Sequence, residues 1–333
     1  MKKILLVDAD SAIPNIALMK LSACHKLLGD TVELIKLQIS YYPDRRKQKI
    51  VDADKYDKVY VSIIFPGINE FVKIINCDNI EFGGTGYDIK KKLPKHIDDI
   101  KEDYSIYKET DNSYGFITRG CIRNCSFCFV PKKEGLIYKY RTVDEIVVNK
   151  NVYFLDNNIM AHHDREKIFQ EIVDKKIRCQ FNQGLDMRLM TDRLAILLSK
   201  MKYIGEYFFA FDNINLESIL QEKLDLFKKY IGKPWKTKFF IYCNAEMELS
   251  DPIYRVEWCR KNYALPYFMR DINCWSSVNR DFYTDMAAYC NQPNIFKKMS
   301  FKEYIYKRHP KNIGRADKSL NLYNKNYENN INL

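Results

Sequence analysis

The chain has 333 residues, 46% hydrophobic and 29% charged, with a formal net charge of +11. That composition fits a water-soluble globular protein with room for two modest domains. No apolar run approaches the roughly 20 residues that a membrane-spanning helix requires.

The opening Met1-Lys2-Lys3 followed by Ile4-Leu5-Leu6-Val7 is too short for a signal sequence. A cytoplasmic location is therefore expected, with no membrane association and with the ten cysteines reduced. The positive charge keeps nucleic acid open as a partner without establishing it. Lysine, asparagine, isoleucine and tyrosine are all abundant, and the basic residues are spread along the chain.

Residues 3–8 read as a buried parallel strand. Pro14 opens a helix whose apolar face, Ile16, Leu18, Leu21, Leu27 and Leu28, runs to the stop signal Gly29. Residues 32–37 and 59–64 read as further strands, and 68–76 as a short helix. Residues 80–82 lead into Gly83-Gly84-Thr85-Gly86, which is either a phosphate cradle or a tight turn requiring positive φ. The alternation predicts an open parallel α/β layer over residues 1–86. Residues 87–113, rich in lysine and aspartate, read as a linker.

The α/β alternation resumes at Tyr114. Strands are expected at 114–118, 152–155, 178–181, 207–211, 237–242 and 265–269, with helices at 164–175, 192–201, 216–230 and 251–262. Asp251-Pro252 is a helix-start signal. Residues 271–310 form a C-terminal extension, helical over 280–308. Residues 311–333, with few large apolar groups, read as a frayed, flexible tail.

The most informative stretch is Arg119-Gly120-Cys121-Ile122-Arg123-Asn124-Cys125-Ser126-Phe127-Cys128, a C-x3-C-x2-C run. Three thiolates this close can hold a cubane iron–sulfur cluster while leaving one iron without a protein ligand. Ferredoxin-type clusters instead recruit a fourth cysteine. A zinc site would need a second ligand pair, and the adjacent His162 and His163 do not supply one.

This run resembles the cluster loop of the radical S-adenosylmethionine (radical SAM) superfamily, in which an aromatic residue commonly precedes the third cysteine, as Phe127 does here. The resemblance implies a partial (β/α)6 TIM barrel over 114–270, with its chemistry at the C-terminal ends of the strands. It also implies a [4Fe–4S] cluster on Cys121, Cys125 and Cys128 and S-adenosylmethionine at the fourth iron. A low-potential flavodoxin or ferredoxin would be the electron donor. Residues 1–86 resemble the flavodoxin-like cobalamin-binding domain that precedes the barrel in one branch. The D-x-H-x-x-G loop of that domain is missing, because residues 8–15 contain no histidine. Cobalamin is thus possible but not favoured.

For S-adenosylmethionine the family uses a glycine-rich element after the second strand, where this chain has Asp156-Asn157-Asn158. Asp156 can accept from an ammonium and Asn157 can bond an amine or carboxylate, or the two can form an Asx turn. Asn182-Gln183-Gly184-Leu185-Asp186-Met187-Arg188 suggests a pocket wall with Arg188 for a carboxylate, or a local Asp186–Arg188 ion pair. Asp212 and Asn213 are placed for ribose hydroxyls, and Asn244 and Glu246 line the same rim. Arg119 and Arg123 flank the cysteines and can favour an anionic state.

The substrate is not named by any of these residues. A second reading is a methylthiotransferase-like or other nucleic-acid-modifying enzyme. A third is a non-catalytic iron–sulfur or zinc protein that binds nucleic acid.

Overall fold

The computed structural model describes residues 1–108 and 111–331. The protein is a mixed α/β molecule with parallel sheets and twelve helices among the described residues. It divides into two compact units, Met1–Tyr153 and Phe154–Leu333.

The first unit opens with β1 (Lys3–Asp8), α1 (Ile16–Leu27), β2 (Thr31–Lys36), β3 (Lys49–Asp52), β4 (Lys58–Ser62), β5 (Val72–Ile75) and β6 (Ile80–Gly83). Its main sheet is parallel in the order β2-β1-β4-β6. Alternate residues of β1 feed opposite cores, as a strand's two-residue period dictates. Ile4 and Leu6 pack with Leu18 and Leu21 of α1, while Leu5 and Val7 join Val51, Val59, Val61 and Val72 on the other face.

That second face departs from expectation. Residues 68–76 do not form a short helix. After a single 3-10 turn at Asn69–Phe71 the chain becomes β5, which pairs in parallel with β3. Val72, Ile74 and Ile75 are β-branched and suit a pleated surface better than a helical one. A two-stranded ribbon therefore covers the face where a helix would lie in a doubly wound layer.

Residues 87–113 are not a loose linker either. They carry α2 (Lys95–Asp98) and the start of β7 (Asn112–Gly115). Buried Lys20 on α1 donates to Asp98 Oδ1 at 2.6 Å and to Tyr140 Oη at 2.7 Å. Arg141 donates to Glu102 at 3.2 Å and to the carbonyls of Asp98 and Ile100. These bonds tie the segment into the first unit, which continues through β8 (Thr118–Arg119), α3 (Val130–Lys133), β9 (Tyr138–Lys139) and α4 (Val143–Ile146).

The division between units falls within β10 (Asn151–Phe154). The second unit then alternates α5 (Arg165–Asp174), β11 (Arg178–Phe181), α6 (Asp192–Lys200), β12 (Lys202–Tyr203), β13 (Tyr207–Ala210), α7 (Glu217–Tyr230), β14 (Thr237–Cys243), α8 (Ser250–Lys261) and β15 (Leu265–Arg270). The pairs β11–β12, β13–β14 and β14–β15 are all parallel. A bridge between Leu185 and Phe209 links the segment after β11 to β13. Phenylalanines 154, 169, 181, 209, 211, 227, 239 and 268 are fully buried and form much of the core.

Four helices close the chain: α9 (Arg280–Cys290), α10 (Pro293–Lys298), α11 (Phe301–Arg308) and α12 (Ile313–Ile331). The last of these stands where a frayed tail was expected, and residues 332 and 333 of that tail lie outside the described residues. Ala316, Ser319 and Leu320 are buried, and Tyr323 Oη donates to Glu257 at 2.6 Å. Ala316 and Leu320, the Tyr323 ring 4.8 Å from Phe301, and a charge network around buried Asp285 dock it. No helix among the described residues is long and apolar enough to cross a membrane.

Candidate cysteine-loop site

The three cysteines lie between β8 and β9, which pair antiparallel through Thr118–Lys139 and Arg119–Tyr138. This short ladder makes the base of a long loop, and Glu134 makes its neck. The Glu134 carboxylate accepts the Gly120 N–H at 2.8 Å and pairs with the Arg119 guanidinium. Cys121 N–H donates to Gly135 O at 3.1 Å. Gly120 has φ +81° and its missing side chain would collide with the Leu136 carbonyl, so both conformation and space demand glycine there.

Arg119 is held from three sides, stacking over Phe116 at 4.1 Å and lying 5.6 Å from the Tyr140 ring in addition to its bond with Glu134. Its role in the structure is to brace the neck. Further round, Cys128 N–H donates to Cys125 O at 3.0 Å, a tight turn that enters α3. Pro131 starts that helix and buried Val130 anchors it. Lys133 Nζ then donates to Thr85 Oγ1 of the glycine-rich turn.

Cys121, Cys125 and Cys128 are half-buried and none is in a disulfide. Arg123 N–H donates to Cys121 Sγ at 3.3 Å. Phe127 is 40% exposed, and Ile122, Phe129, Leu136 and Tyr138 are exposed beside it. The other cysteines differ. Burial pushes the Cys179 thiol up to about 12 and raises Cys259 and Cys290 as well. Cys274 Sγ donates to Cys243 O at 3.5 Å, and the contact with Cys274 together with burial raises Cys243.

The glycine-rich turn is a packing device. Gly84 has φ +97°, and a Cβ at Gly84 or Gly86 would strike the Ile63 or Phe65 backbone. Ile63 N–H donates to Gly83 O and Gly86 N–H to Ile63 O, at 2.9 and 3.0 Å. In the loop after β1, Asp10 accepts the N–H groups of Ile64 and Phe65, both at 2.8 Å. His25 is inside its helix, bonded to Asp30 at 2.8 Å and Tyr60 at 3.1 Å.

The remaining sequence-derived candidates are in the second unit. Asp156 is buried and Asn157 half-buried after β10. After β11, Arg188 Nε and Nη2 donate to the Asp186 carboxylate at 2.6 and 3.1 Å, and Asn158 Nδ2 reaches the same carboxylate at 3.2 Å. The local ion pair is thus formed, and it joins the segments after β10 and β11. After β13, burial raises the Asp212 pKa to about 6, although Arg255 and Arg188 pull it down. Asn213 and Asn244 make Asx turns, Asn213 accepting from Asn215 at 2.8 Å and Asn244 from Glu246 at 2.9 Å. Glu246 itself is exposed on that turn and acts there through its backbone N–H.

Two features escaped the sequence reading. Arg255, fully buried on α8, bonds Asp251, Phe211 O at 2.6 Å and Tyr242 O at 3.0 Å, clamping the ends of β13 and β14. The i, i+4 spacing from Asp251 was the available signal. His162, His163 and Asp164 place their ligand atoms within 4.8 Å of one another. This trio contains no cysteine, and His162 Nδ1 already accepts the Asp164 N–H at 3.1 Å.

No protein-family model matches the chain, and neither does any curated protein.

Proposed function

We propose that the chain is a radical SAM enzyme, with Cys121, Cys125 and Cys128 as the protein ligands of a [4Fe–4S] cluster that leaves one iron for S-adenosylmethionine. The observation that carries this reading is the loop itself. Three half-buried thiols in C-x3-C-x2-C spacing sit on a segment clamped at its neck by Glu134 and anchored beyond by Val130 and Lys133. The donor set fits the cluster, being all sulfur, three in number and none in a disulfide. When bound, the cluster supplies the electron that cleaves S-adenosylmethionine to methionine and a 5′-deoxyadenosyl radical, which takes hydrogen from a substrate.

The chain's own residues supply position and charge. Arg119 and Glu134 fix the loop. Phe127 offers an exposed apolar face beside the third cysteine. A low-potential flavodoxin or ferredoxin is the proposed donor. Cobalamin is not favoured, because the loop after β1 has no histidine, its Asp10 carboxylate is already bonded to the Ile64 and Phe65 N–H groups, and His25 is tied inside its helix.

The test is anaerobic reconstitution with iron and sulfide, followed by dithionite and S-adenosylmethionine. About four irons and four acid-labile sulfides per chain, with release of 5′-deoxyadenosine, are expected. A cluster-loaded protein that never forms 5′-deoxyadenosine, or a chain that takes up zinc without sulfide, would overturn the proposal.

A further inference from the structure

We infer that the first unit binds single-stranded nucleic acid, stacking unpaired bases on Tyr41 and Phe65 and holding the phosphate backbone with Arg45, Lys47 and Lys49. The inference rests on the catalytic reading above and gives it a substrate class. Its evidence is separate from the cysteines.

The place comes from topology. In the sheet order β2-β1-β4-β6 the chain leaves β1 towards β2 on one side and returns to β4 on the other. The carboxyl ends of β1 and β4 therefore flank a topological switch point, where open parallel sheets bind ligands. Tyr41 lies beyond the end of β2, and Phe65 beyond the end of β4.

The chemistry comes from the side chains there. The Tyr41 and Phe65 rings are 5.6 Å apart, and the Tyr41 and Tyr42 rings are 4.0 Å apart, both pairs tilted by about 35°. Tyr41 is 47% and Phe65 39% exposed, unusual for rings gathered in one cluster. Tyr41-Tyr42-Pro43-Asp44-Arg45-Arg46-Lys47-Gln48-Lys49 sets four cations against one carboxylate. Arg46 is turned inward, bonding Tyr41 O at 3.2 Å and Gly67 O at 3.3 Å. Arg45 stacks 5.0 Å over Tyr42, and Lys47 and Lys49 are exposed. Flat apolar faces interleaved with cations match bases on an anionic strand. A neutral planar ligand would have no use for the charges, and a duplex keeps its base faces stacked away from the rings.

The platform is rigid and joined to the cysteine loop. Asp10 fixes the Phe65 N–H at 2.8 Å, and Gly86 packs against the Phe65 backbone. Neighbouring Thr85 receives Lys133 from α3, just past Cys128. The turn that packs on the Phe65 backbone is thus tied by Lys133 to the segment that follows the three thiols.

Fluorescence anisotropy of the full chain, without cluster, tests this with labelled oligonucleotides of about 12 nucleotides. RNA and DNA single strands identify the preferred backbone, and a duplex of the same sequence is the control. Single strands are expected to bind more tightly than duplex. Affinity should fall between about 50 and about 200 mM KCl with a log–log slope near −2 for three phosphate contacts. Tyr41→Ala with Phe65→Ala should weaken binding by about 10-fold or more with the slope kept. Arg45→Gln with Lys47→Gln should weaken it and flatten the slope by about 1.4. Tyr41→Trp and Phe65→Tyr, which keep the rings, should bind like the parent and exclude misfolding as the cause.

Absence of salt-dependent binding, equal affinity for duplex, or indifference to loss of both rings would overturn the inference. Because 5′-deoxyadenosine formation is read without nucleic acid, failure here leaves the catalytic proposal standing. Failure there leaves this binding result standing.

Discussion

Gly120 donates its backbone N–H to Glu134 Oε2 at 2.8 Å, so the residue before the first cysteine is held by a carboxylate that follows the third. The same carboxylate neutralises Arg119. Glu134→Ala would leave a backbone donor and a guanidinium without their acceptor, costing on the order of 2 kcal/mol. Urea unfolding should show that loss, and Gly120 should lose hydrogen-exchange protection. Iron retained per chain should fall with it, whereas Glu134→Gln, which can still accept from Gly120, should fall less. Unchanged exchange at Gly120 in Glu134→Ala would refute the clamp.

Gly120 and Gly29 share a φ of +81° but differ in surroundings, with open space around Gly29 and the Leu136 carbonyl against Gly120. Gly29→Ala should cost about 1 kcal/mol, the penalty of a left-handed backbone alone. Gly120→Ala should cost clearly more and distort the loop. Equal destabilisation of the two variants in urea would show that the loop yields freely.

Cys121, Cys125 and Cys128 are half-buried like Cys24 and Cys77, while the other five thiols are buried. Iodoacetamide should modify the first five in the native apo chain and leave Cys179, Cys259 and Cys290 unreacted until unfolding, since thiolates react and buried thiols stay protonated. Loading with iron and sulfide should protect Cys121, Cys125 and Cys128 alone. Mass spectrometry reads each position. Continued labelling of those three after loading would remove them as ligands.

These contrasts mark what the sequence could and could not disclose. Hydrophobic periodicity located α5 to α8 and β11, β13, β14 and β15 to within a residue or two, because each has a buried stripe or run that the chain itself displays. The β3–β5 ribbon was missed because Val72–Ile75 is too short to separate a strand from a helical turn by period alone. The docking of α12 was missed because it rests on few apolar residues, Ala316, Leu320 and Tyr323, and on polar bonds to the distant Asp285 and Glu257, which no local pattern announces. At the candidate site the cysteines and the Asp186–Arg188 pair were legible from spacing. Glu134's hold on Gly120 was not, since a carboxylate next to two lysines reads as surface.

Asp212 should make stability depend on pH. Burial raises its pKa to about 6 against the lowering pull of Arg255. Its folded-state value lies above that of an unfolded aspartate, so ionisation opposes folding. That opposition is absent below about pH 4, grows as the pH rises and is complete above about 6. Asp212→Asn should therefore unfold at higher urea than the parent at pH 8, with the difference vanishing near pH 4. A variant no more stable than the parent at pH 8 would show that Arg255 and solvent already compensate the charge.

Asp285 governs the C-terminal helices in the opposite sense. It is fully buried on α9 and accepts from Arg308 at 3.0 Å, His309 at 2.9 Å, Arg315 at 3.2 Å and Ser319 at 2.9 Å. Burial works to raise its pKa, but His309, Arg315 and Ser319 together outweigh burial and hold it below the usual carboxylate value. The stability it contributes is thus present above about pH 4 and is lost as the pH falls below that. Asp285→Asn keeps the shape but leaves Arg308 and Arg315 without their buried anion, a change worth about 3 kcal/mol. Arg315 retains only its 3.4 Å contact with Asp281, which is exposed. Hydrogen exchange over residues 313–327 should accelerate in Asp285→Asn at pH 7 while α5 to α8 keep their protection. Uniform acceleration across the second unit would mean that α12 is integral to its core, and no acceleration would mean that apolar contacts of Ala316 and Leu320 suffice to dock it.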